Sequence, residues 1–395
     1  MNDRSYYINK AMAILICFPA LLDAVNTFIK AYTGVSTSGI TFLLYVIVLL
    51  YCLSLSKKGR TFTYGNAARY LLLLFPFFIC YSLFPVGRKW YFSQEMLLIY
   101  GFFLVVCVFI VKNVVNLEGL ISAISIPAGI VSILCLSMLI TCDYKHYLNY
   151  MDFSYSLLPI SAFLYLCIKK DIKSAWSTIC FCVSIICTLT CGARSPLVFI
   201  VIFIVLTEIF VKEKTIFNVA KIGIISGVAI LAFLLLRNEI SAFILLKANS
   251  TGSYVLTRLA NGNFWKSSSR NDIYDFCKSY ISNMGLSING LFFDRYLLGN
   301  NQSMTSYPHN FVYEVLIDFG WIVGLVILIE FFCFLIKLYF DVRKDEYGIL
   351  IFNLVIVCYL ARYIVSGSFL IERQFYMGFA LLVALSKRKR KERLM

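Results

Sequence analysis

The sequence contains few charged residues and almost no histidine. Asp, Glu, Lys and Arg make up 14% of its 395 residues, and histidine occurs only at His146 and His309. Soluble globular proteins carry about 25% charged residues, so this composition excludes a soluble globular protein. Disorder needs low hydrophobicity and is excluded as well. With two histidines, a histidine-cluster metal site is nearly excluded.

Several common catalytic and energy-coupling motifs are also missing. The 14 cysteines form no C-x-x-C pair and lie scattered in apolar runs, which favours packing as small apolar side chains over disulfides or metal binding. There is no G-x-x-x-x-G-K-[ST] loop for ATP and no G-x-S-x-G nucleophile elbow. No internal repeat is visible, which disfavours transporter folds built from repeated halves.

Apolar residues dominate what is present: they make up 60% of the chain, and the mean hydropathy is +0.81. A membrane span needs about 20 apolar residues, so the sequence predicts an all-α polytopic membrane protein with about twelve transmembrane helices. Within the tenth span, Gly320 and Gly324 form a G-x-x-x-G pair that predicts close helix packing. The predicted spans are 11–30, 38–56, 70–87, 94–111, 120–141, 153–168, 174–191, 195–211, 219–236, 311–340, 348–365 and 369–386.

The distribution of Lys and Arg predicts the orientation of these spans. If the basic tail is cytoplasmic, 22 of the 36 Lys and Arg residues lie on the cytoplasmic side, with both termini. The predicted regions are transmembrane helices 1–9 (1–236), a large periplasmic loop (237–310), helices 10–12 (311–386) and a basic cytoplasmic tail (387–395). The net charge then reflects topology and anionic lipid heads, and it implies no nucleic-acid partner. The polar start and span-length first apolar run predict no cleavable signal peptide.

A tight turn separates the seventh and eighth predicted spans. Only Gly192, Ala193 and Arg194 part them, but Pro196 suits the first turn of a new helix and Ser195 can cap it. At this position the Arg194 guanidinium and the free amides of the helix would converge on one anion, most naturally a phosphate. The alternative is an arginine that extends towards the lipid head groups.

Arg270 is a second candidate for anion binding. It opens a helix predicted to run to about Met284 and lies one turn before Tyr274 on the apolar stripe of that helix. An arginine on a buried face needs an anionic partner, and Asp272 and Asp275 lie on other faces. Its partner would be either a bound anion or a structural carboxylate.

His309 is the candidate for proton transfer, at the end of the long loop and just before the tenth span. An imidazole at the membrane surface can take a proton from a sugar hydroxyl near neutral pH; the alternative is a structural histidine. Asn310, Glu314 and Asp318 follow at four-residue spacing and predict a polar stripe that lines a cavity.

Three segments of this chain resemble the O-antigen polymerase and O-antigen ligase superfamily of bacterial envelope glycosyltransferases. Cys191-Gly192-Ala193-Arg194-Ser195 is similar to the family's G-S-R-G turn, and Ser269-Arg270 with Tyr274 is similar to its S-x-R-x-x-x-W segment. The third segment resembles the family's H-N signature with its downstream acidic residues and glycines; it comprises Pro308, His309, Asn310, Phe311, Glu314, Asp318, Gly320 and Gly324.

This resemblance implies a membrane-embedded, C-type glycosyltransferase-like fold that uses no metal, cofactor or nucleotide sugar. Its donor would be a glycan on undecaprenyl diphosphate, with helices in the large periplasmic loop. Arg194 and Arg270 would bind the diphosphate, and His309 would deprotonate the acceptor hydroxyl. The supporting residues would be Tyr274 stacked on a sugar, Asn310 orienting the imidazole, Glu314 and Asp318 in the polar stripe, and Arg295 and Arg258 as further charge.

The sequence therefore predicts a repeat-unit polymerase for O-antigen or a related surface polysaccharide in the bacterial inner membrane, with its active site facing the periplasm. Its partners would be undecaprenyl-diphosphate-linked oligosaccharides, membrane lipids and a chain-length regulator protein. A ligase that transfers the glycan to lipid A core would share the donor site. A flippase would instead use Arg194, Arg270 and Asp318 as pathway charges, but the long outer loop disfavours a transporter.

Overall fold

A computed structural model describes residues 3–35, 37–58, 75, 77–93, 116–142, 144, 147–191, 193–211, 270–300 and 307–394. This part of the chain consists of helices and their connections, with no strand. A lipid bilayer offers no hydrogen-bond partners to backbone N–H and C=O groups, whereas a helix pairs these groups with one another. The structure confirms an all-helical fold suited to a membrane.

The long helices of the first half follow the predicted apolar runs. They are α1 (Asp3–Thr33), α2 (Ser38–Lys58), α3 (Leu117–Thr141), α4 (Tyr150–Lys169), α5 (Ser174–Cys191) and α6 (Arg194–Val211). The predicted break between α5 and α6 is confirmed, because the helix stops at Cys191 and restarts at Arg194. Ser195 lies inside the first turn of α6, so it does not precede the helix as the predicted cap.

The second half begins in the predicted outer loop. Its helices are α7 (Arg270–Asn283), α8 (Phe293–Gly299), α9 (Phe311–Val342), α10 (Glu346–Val365) and α11 (Arg373–Leu394). The apolar stripe of α7 is buried as predicted, at Ile273, Cys277 and Ile281. Burial of that stripe fixes α7 against α9 and so places its first residue, Arg270, beside the bundle.

Six helices of the described part are long and apolar enough to cross a membrane: α1, α3, α4, α5, α9 and α10. Beyond residue 320, α9 exposes a row of large apolar side chains that lipid tails would cover. These are Ile322, Leu325, Val326, Ile329, Phe332, Ile336 and Phe340. The spans predicted at 94–111 and 219–236 lie outside the described residues, and 70–87 lies only partly within them, so twelve spans remain a prediction.

Ion pairs between α4 and α10 show that these helices run antiparallel. Asp152 at the start of α4 pairs with Arg362 near the end of α10, and Lys170 just after α4 pairs with Glu346 at the start of α10. We call the first end, which also carries His309, the histidine end of the bundle. The opposite, tail end carries the contacts of Asp345 with Arg388 and Lys389. The opposite directions of α4 and α10 agree with the directions predicted for these two spans.

Helix α9 bends sharply at Gly320, whose φ of 73° and ψ of 178° are not helical. A Cβ atom there would lie 2.1 Å from the Ser287 carbonyl oxygen, so only glycine fits. A Cβ on Gly324 would lie 3.1 Å from Leu316 Cδ2. The glycine pair provides close packing as predicted, but it does so where α9 folds against itself and the loop before α8.

Candidate functional site

His309 lies in the turn that leads into α9, with a left-handed φ of 56°. Histidine adopts this conformation more readily than branched residues, and such backbone outliers cluster at functional sites. The Tyr307 ring packs against the imidazole, with ring centroids 4.3 Å apart. The Nδ1 atom is buried and has no hydrogen-bond partner among the described residues. Packing therefore fixes the ring while leaving this nitrogen unpaired.

The surroundings of His309 keep its imidazole neutral. Burial, and then the positive charges of Arg270 and Arg362, lower the pKa of His309 from 6.5 to about 4. A neutral imidazole at pH 7 can accept a proton. The unfolded chain binds this proton more readily than the folded one, so the contribution of His309 to stability falls as the pH drops from 6.5 towards 4.

We expect His309 to stay neutral down to about pH 5, because its pKa is near 4. The chain has only two histidines, so His146→Gln leaves a single signal in ¹³C-histidine NMR of the protein in nanodiscs. Arg270→Ala should shift the titration of that signal upward, because one cause of the low pKa is removed. Lys278→Ala, an exposed cation on the same helix, should leave it unchanged. A wild-type midpoint near 6.5 would contradict the described environment.

Arg270 has no carboxylate partner among the described residues. Its Nη1 donates to the Val365 carbonyl, and its Nη2 lies 4.0 Å from Met151 Sδ. Of the two alternatives in the sequence, the structural ion pair is therefore not observed in this part of the chain. A guanidinium has five N–H donors, so Arg270 retains capacity for a bound anion beside His309.

Asn310 fixes the turn that carries His309. Its side-chain oxygen accepts from Val312 N at 3.0 Å and Tyr313 N at 3.2 Å, so it caps α9. Its amide nitrogen donates to the Ile364 carbonyl at 3.0 Å. Asn310 thus ties the start of α9 to the end of α10, and it positions His309 through the backbone.

Arg362 is the charged centre of the histidine end, and sequence reasoning did not assign it. Its Nη2 donates to Asp152 Oδ1 at 2.7 Å and Glu372 Oε1 at 2.8 Å, and its Nη1 donates to Glu372 Oε2 and Gln374 Oε1, both at 3.2 Å. The side chain is 2% exposed, and its guanidinium carbon lies 4.2 Å from the Tyr155 ring centroid. This arginine is held by protein partners.

Tyr155 connects Arg362 to the start of α6. The Ser195 side chain lies close enough to the Tyr155 hydroxyl to hydrogen-bond with it, and the positive charges of Arg362 and Arg270 lie near the same hydroxyl. Ser195 directly follows Arg194, the first residue of α6. The backbone of the predicted Arg194 turn therefore lies at the histidine end, close to the other candidates, while the Arg194 side chain is outside the described part of the structure.

A polar cavity of about 230 Å³ adjoins this network. Its charged lining comprises Asp23, Asp152, Arg362, Glu372 and Arg373. His309 and Arg270 are not part of the lining, but Arg362 acts electrostatically on His309 as well as facing the cavity. The charged residues of the cavity can be recognised in the sequence because they lie within or next to predicted spans, where ionised groups are costly and usually functional.

Glu314 does not line an open cavity, although the polar stripe predicted that it would. Its carboxylate is fully buried, accepts from Ser368 Oγ, and accepts from Phe369 N at 3.3 Å. Arg295 Nη1 lies 3.7 Å from Glu314 Oε1 and 3.2 Å from Asp294 Oδ1. Arg295 was predicted to supply charge to the substrate, but in the structure it is paired and buried. Together, Arg295 of α8 and Glu314 of α9 connect these two helices to the segment between α10 and α11.

Asp318 is likewise buried, because the segment before α8 covers it. Its carboxylate accepts from Phe292 N at 3.0 Å and Asp294 N at 2.9 Å, and so it caps α8. Its carbonyl accepts from Asn289 N and Gly290 N. The four-residue spacing correctly predicted one polar face, but that face binds a loop segment.

Tyr274 packs edge-on against Tyr313, with ring centroids 5.7 Å apart, and its side chain is about half-buried. Its stacking on a sugar remains a prediction. Arg258 lies outside the described residues. Within the described ranges, no three His, Cys, Asp or Glu side chains are grouped to hold a metal ion.

The histidine end thus combines a neutral imidazole, an arginine without a described carboxylate partner, and a cavity of mixed charge. Comparisons with known proteins add no assignment to this geometry. No family model, curated protein or solved structure matches the chain.

Proposed function

We propose that this chain is a metal-independent membrane glycosyltransferase that polymerises undecaprenyl-diphosphate-linked repeat units into O-antigen or a related surface polysaccharide. The observation that carries the proposal is that His309 and Arg270 both lie at the end of α10. Asn310, next to His309, donates to the Ile364 carbonyl, and Arg270 donates to the Val365 carbonyl. His309 is neutral at pH 7, and Arg270 has no carboxylate partner in the described ranges. A base beside an anion-binding cation is the arrangement that transfer from a lipid diphosphate requires.

In this mechanism Arg270 and Arg194 bind the diphosphate of the donor. As the anomeric bond breaks, negative charge builds on the leaving diphosphate, and the guanidinium N–H groups stabilise it. The acceptor hydroxyl attacks the anomeric carbon and transfers its proton to the His309 imidazole. Binding of the diphosphate also offsets the positive charge of Arg270, so it raises the basicity of His309 when the donor is present.

The proposed enzyme lies in the bacterial inner membrane with its site facing the periplasm and both termini in the cytoplasm. The distribution of Lys and Arg supports this orientation. A chain-length regulator protein is its proposed partner, because a repeat-unit polymerase alone sets no defined length.

Deletion of the gene tests the proposal against its two alternatives. Loss of a polymerase leaves lipid A core that carries single repeat units on a polysaccharide gel. Bare core with accumulated lipid-linked polymer would instead identify a ligase, and repeat units trapped on the cytoplasmic side would identify a flippase. Complementation with the wild-type gene should restore the full ladder of glycan lengths.

A further inference from the structure

The cavity at the histidine end has a lining that suits an uncharged ligand. It lies among α1, α2, α4 and the connection into α11. Three carboxylates face it, from Asp23, Asp152 and Glu372, against two arginines. Asp152 and Glu372 are already bound to Arg362. A diphosphate would meet excess negative charge here, so its binding is disfavoured.

The other two charged side chains of the cavity, Arg373 and Asp23, can form more hydrogen bonds than they do in the structure. Arg373 donates to the Tyr45 hydroxyl and has no carboxylate within ion-pair distance among the described residues. Asp23 accepts from Ser156 Oγ at 3.2 Å. A guanidinium provides five N–H donors and a carboxylate about four acceptor sites, so both groups retain capacity. A ligand that fills this cavity must therefore donate and accept hydrogen bonds.

Neutral polar side chains extend the same pattern. Asn26, Thr41 and Gln374 also line the cavity, and Thr41 donates to Asn26 Oδ1 at 3.0 Å. The volume of about 230 Å³ is below the ~300–1,000 Å³ of pockets for drug-sized ligands. The cavity therefore has room for one small polyhydroxylated ring.

We infer that this cavity binds one uncharged sugar ring of the lipid-linked glycan, an inference that rests on the proposed function. Vicinal hydroxyls both donate and accept, which matches Arg373 and Asp23 together. Arg362 borders the cavity and acts on His309, so a ring bound here lies next to the proposed reacting centre. The ring belongs either to the terminal sugar of the acceptor or to the donor sugar next to its diphosphate.

Binding to the full chain in nanodiscs tests this inference. The probe is the repeat-unit oligosaccharide released by mild acid from the lipid-linked pool of the source cells, and its affinity is measured by saturation-transfer NMR. Arg373→Gln and Asp23→Asn should each weaken binding about tenfold or more, because each removes hydrogen bonds to a charged group. Thr41→Phe, which fills the cavity, should do the same. Arg343 is an exposed arginine at the tail end, so the Arg343→Gln variant should bind as the wild type does.

Two further arms identify the source and separate this inference from the proposed function. Binding of the free oligosaccharide shows that the ring is recognised without a diphosphate, as the terminal sugar of the acceptor would be, whereas binding of only the undecaprenyl-diphosphate-linked unit assigns it to the donor. Undiminished affinity in the Arg373, Asp23 and Thr41 variants, or displacement of the sugar from the cavity by inorganic pyrophosphate, would overturn the inference. His309→Ala should retain sugar binding while losing polymer; a polymer-forming His309→Ala variant would refute the proposed function alone.

Discussion

We expect His309→Ala to lower the rate of the proposed polymer formation by about 10²–10⁴-fold, the range that follows removal of a general base. In the proposed mechanism the acceptor hydroxyl then loses the group that takes its proton, while the proposed diphosphate site keeps Arg270 and its neighbours. The rate is measured with purified protein and lipid-linked repeat units at saturating substrate. The loss should therefore fall mainly on kcat.

Two controls make the His309 result specific. His146→Ala removes the only other histidine and should retain wild-type activity. His309→Gln keeps a polar side chain but no base, and it should be as inactive as His309→Ala while the protein is present at normal level in the membrane. Activity near wild type in either His309 variant would show that His309 is structural.

We expect Arg270→Ala to lower kcat/KM by about 10²-fold, because the proposed mechanism then loses a donor to the developing charge on the diphosphate. Arg270→Lys should recover part of this loss, since it restores the charge but not the planar fork. In the structure Arg270 has only the Val365 carbonyl and a Met151 sulfur contact as described partners, so truncation leaves no buried carboxylate unpaired. The fold should therefore remain intact.

Lys278→Ala is the matched control for Arg270, because it removes a cation from the same helix at an exposed position. It should leave kcat/KM unchanged. If both variants retained activity, the diphosphate would have to bind elsewhere. If both lost activity equally, the effect would be one of overall charge at the membrane surface.

The sequence predicted features that depend on neighbours along the chain. The α5–α6 break was predictable because Gly192 and Pro196 act locally, and the buried stripe of α7 follows from helical spacing alone. His309 and Arg270 were singled out by their position beside predicted helix starts. Their mutual proximity, which the pKa of His309 reflects, was not predictable from local pattern.

Residues that depend on distant contacts were missed or misinterpreted. Arg362 pairs with Asp152, which lies 210 residues earlier in the chain, and no local spacing predicts that pair. Helical spacing gave Glu314 and Asp318 one common face, but it did not identify the loop segments that cover that face. Gly320 was predicted as a packing residue, and its left-handed conformation became apparent only with Ser287 in place.

Arg362 and Arg373 nevertheless carried a usable signal. Both lie in or beside the last predicted outer connection, against the trend that places Lys and Arg on the cytoplasmic side. Arginines that remain at the outer end of an apolar bundle need partners or a ligand. Both arginines face the cavity. Arg362 is paired with Asp152 and Glu372, whereas Arg373 has no carboxylate within ion-pair distance among the described residues.

The most direct test is elongation by the purified chain alone. The protein in nanodiscs receives only undecaprenyl-diphosphate-linked repeat units, and glycan length and released undecaprenyl diphosphate are measured together. The account predicts glycans longer than one repeat unit, one undecaprenyl diphosphate released for each new linkage, and loss of both products in His309→Ala. A folded wild-type protein that forms no linkage, or a His309→Ala variant that forms them at the wild-type rate, would contradict it.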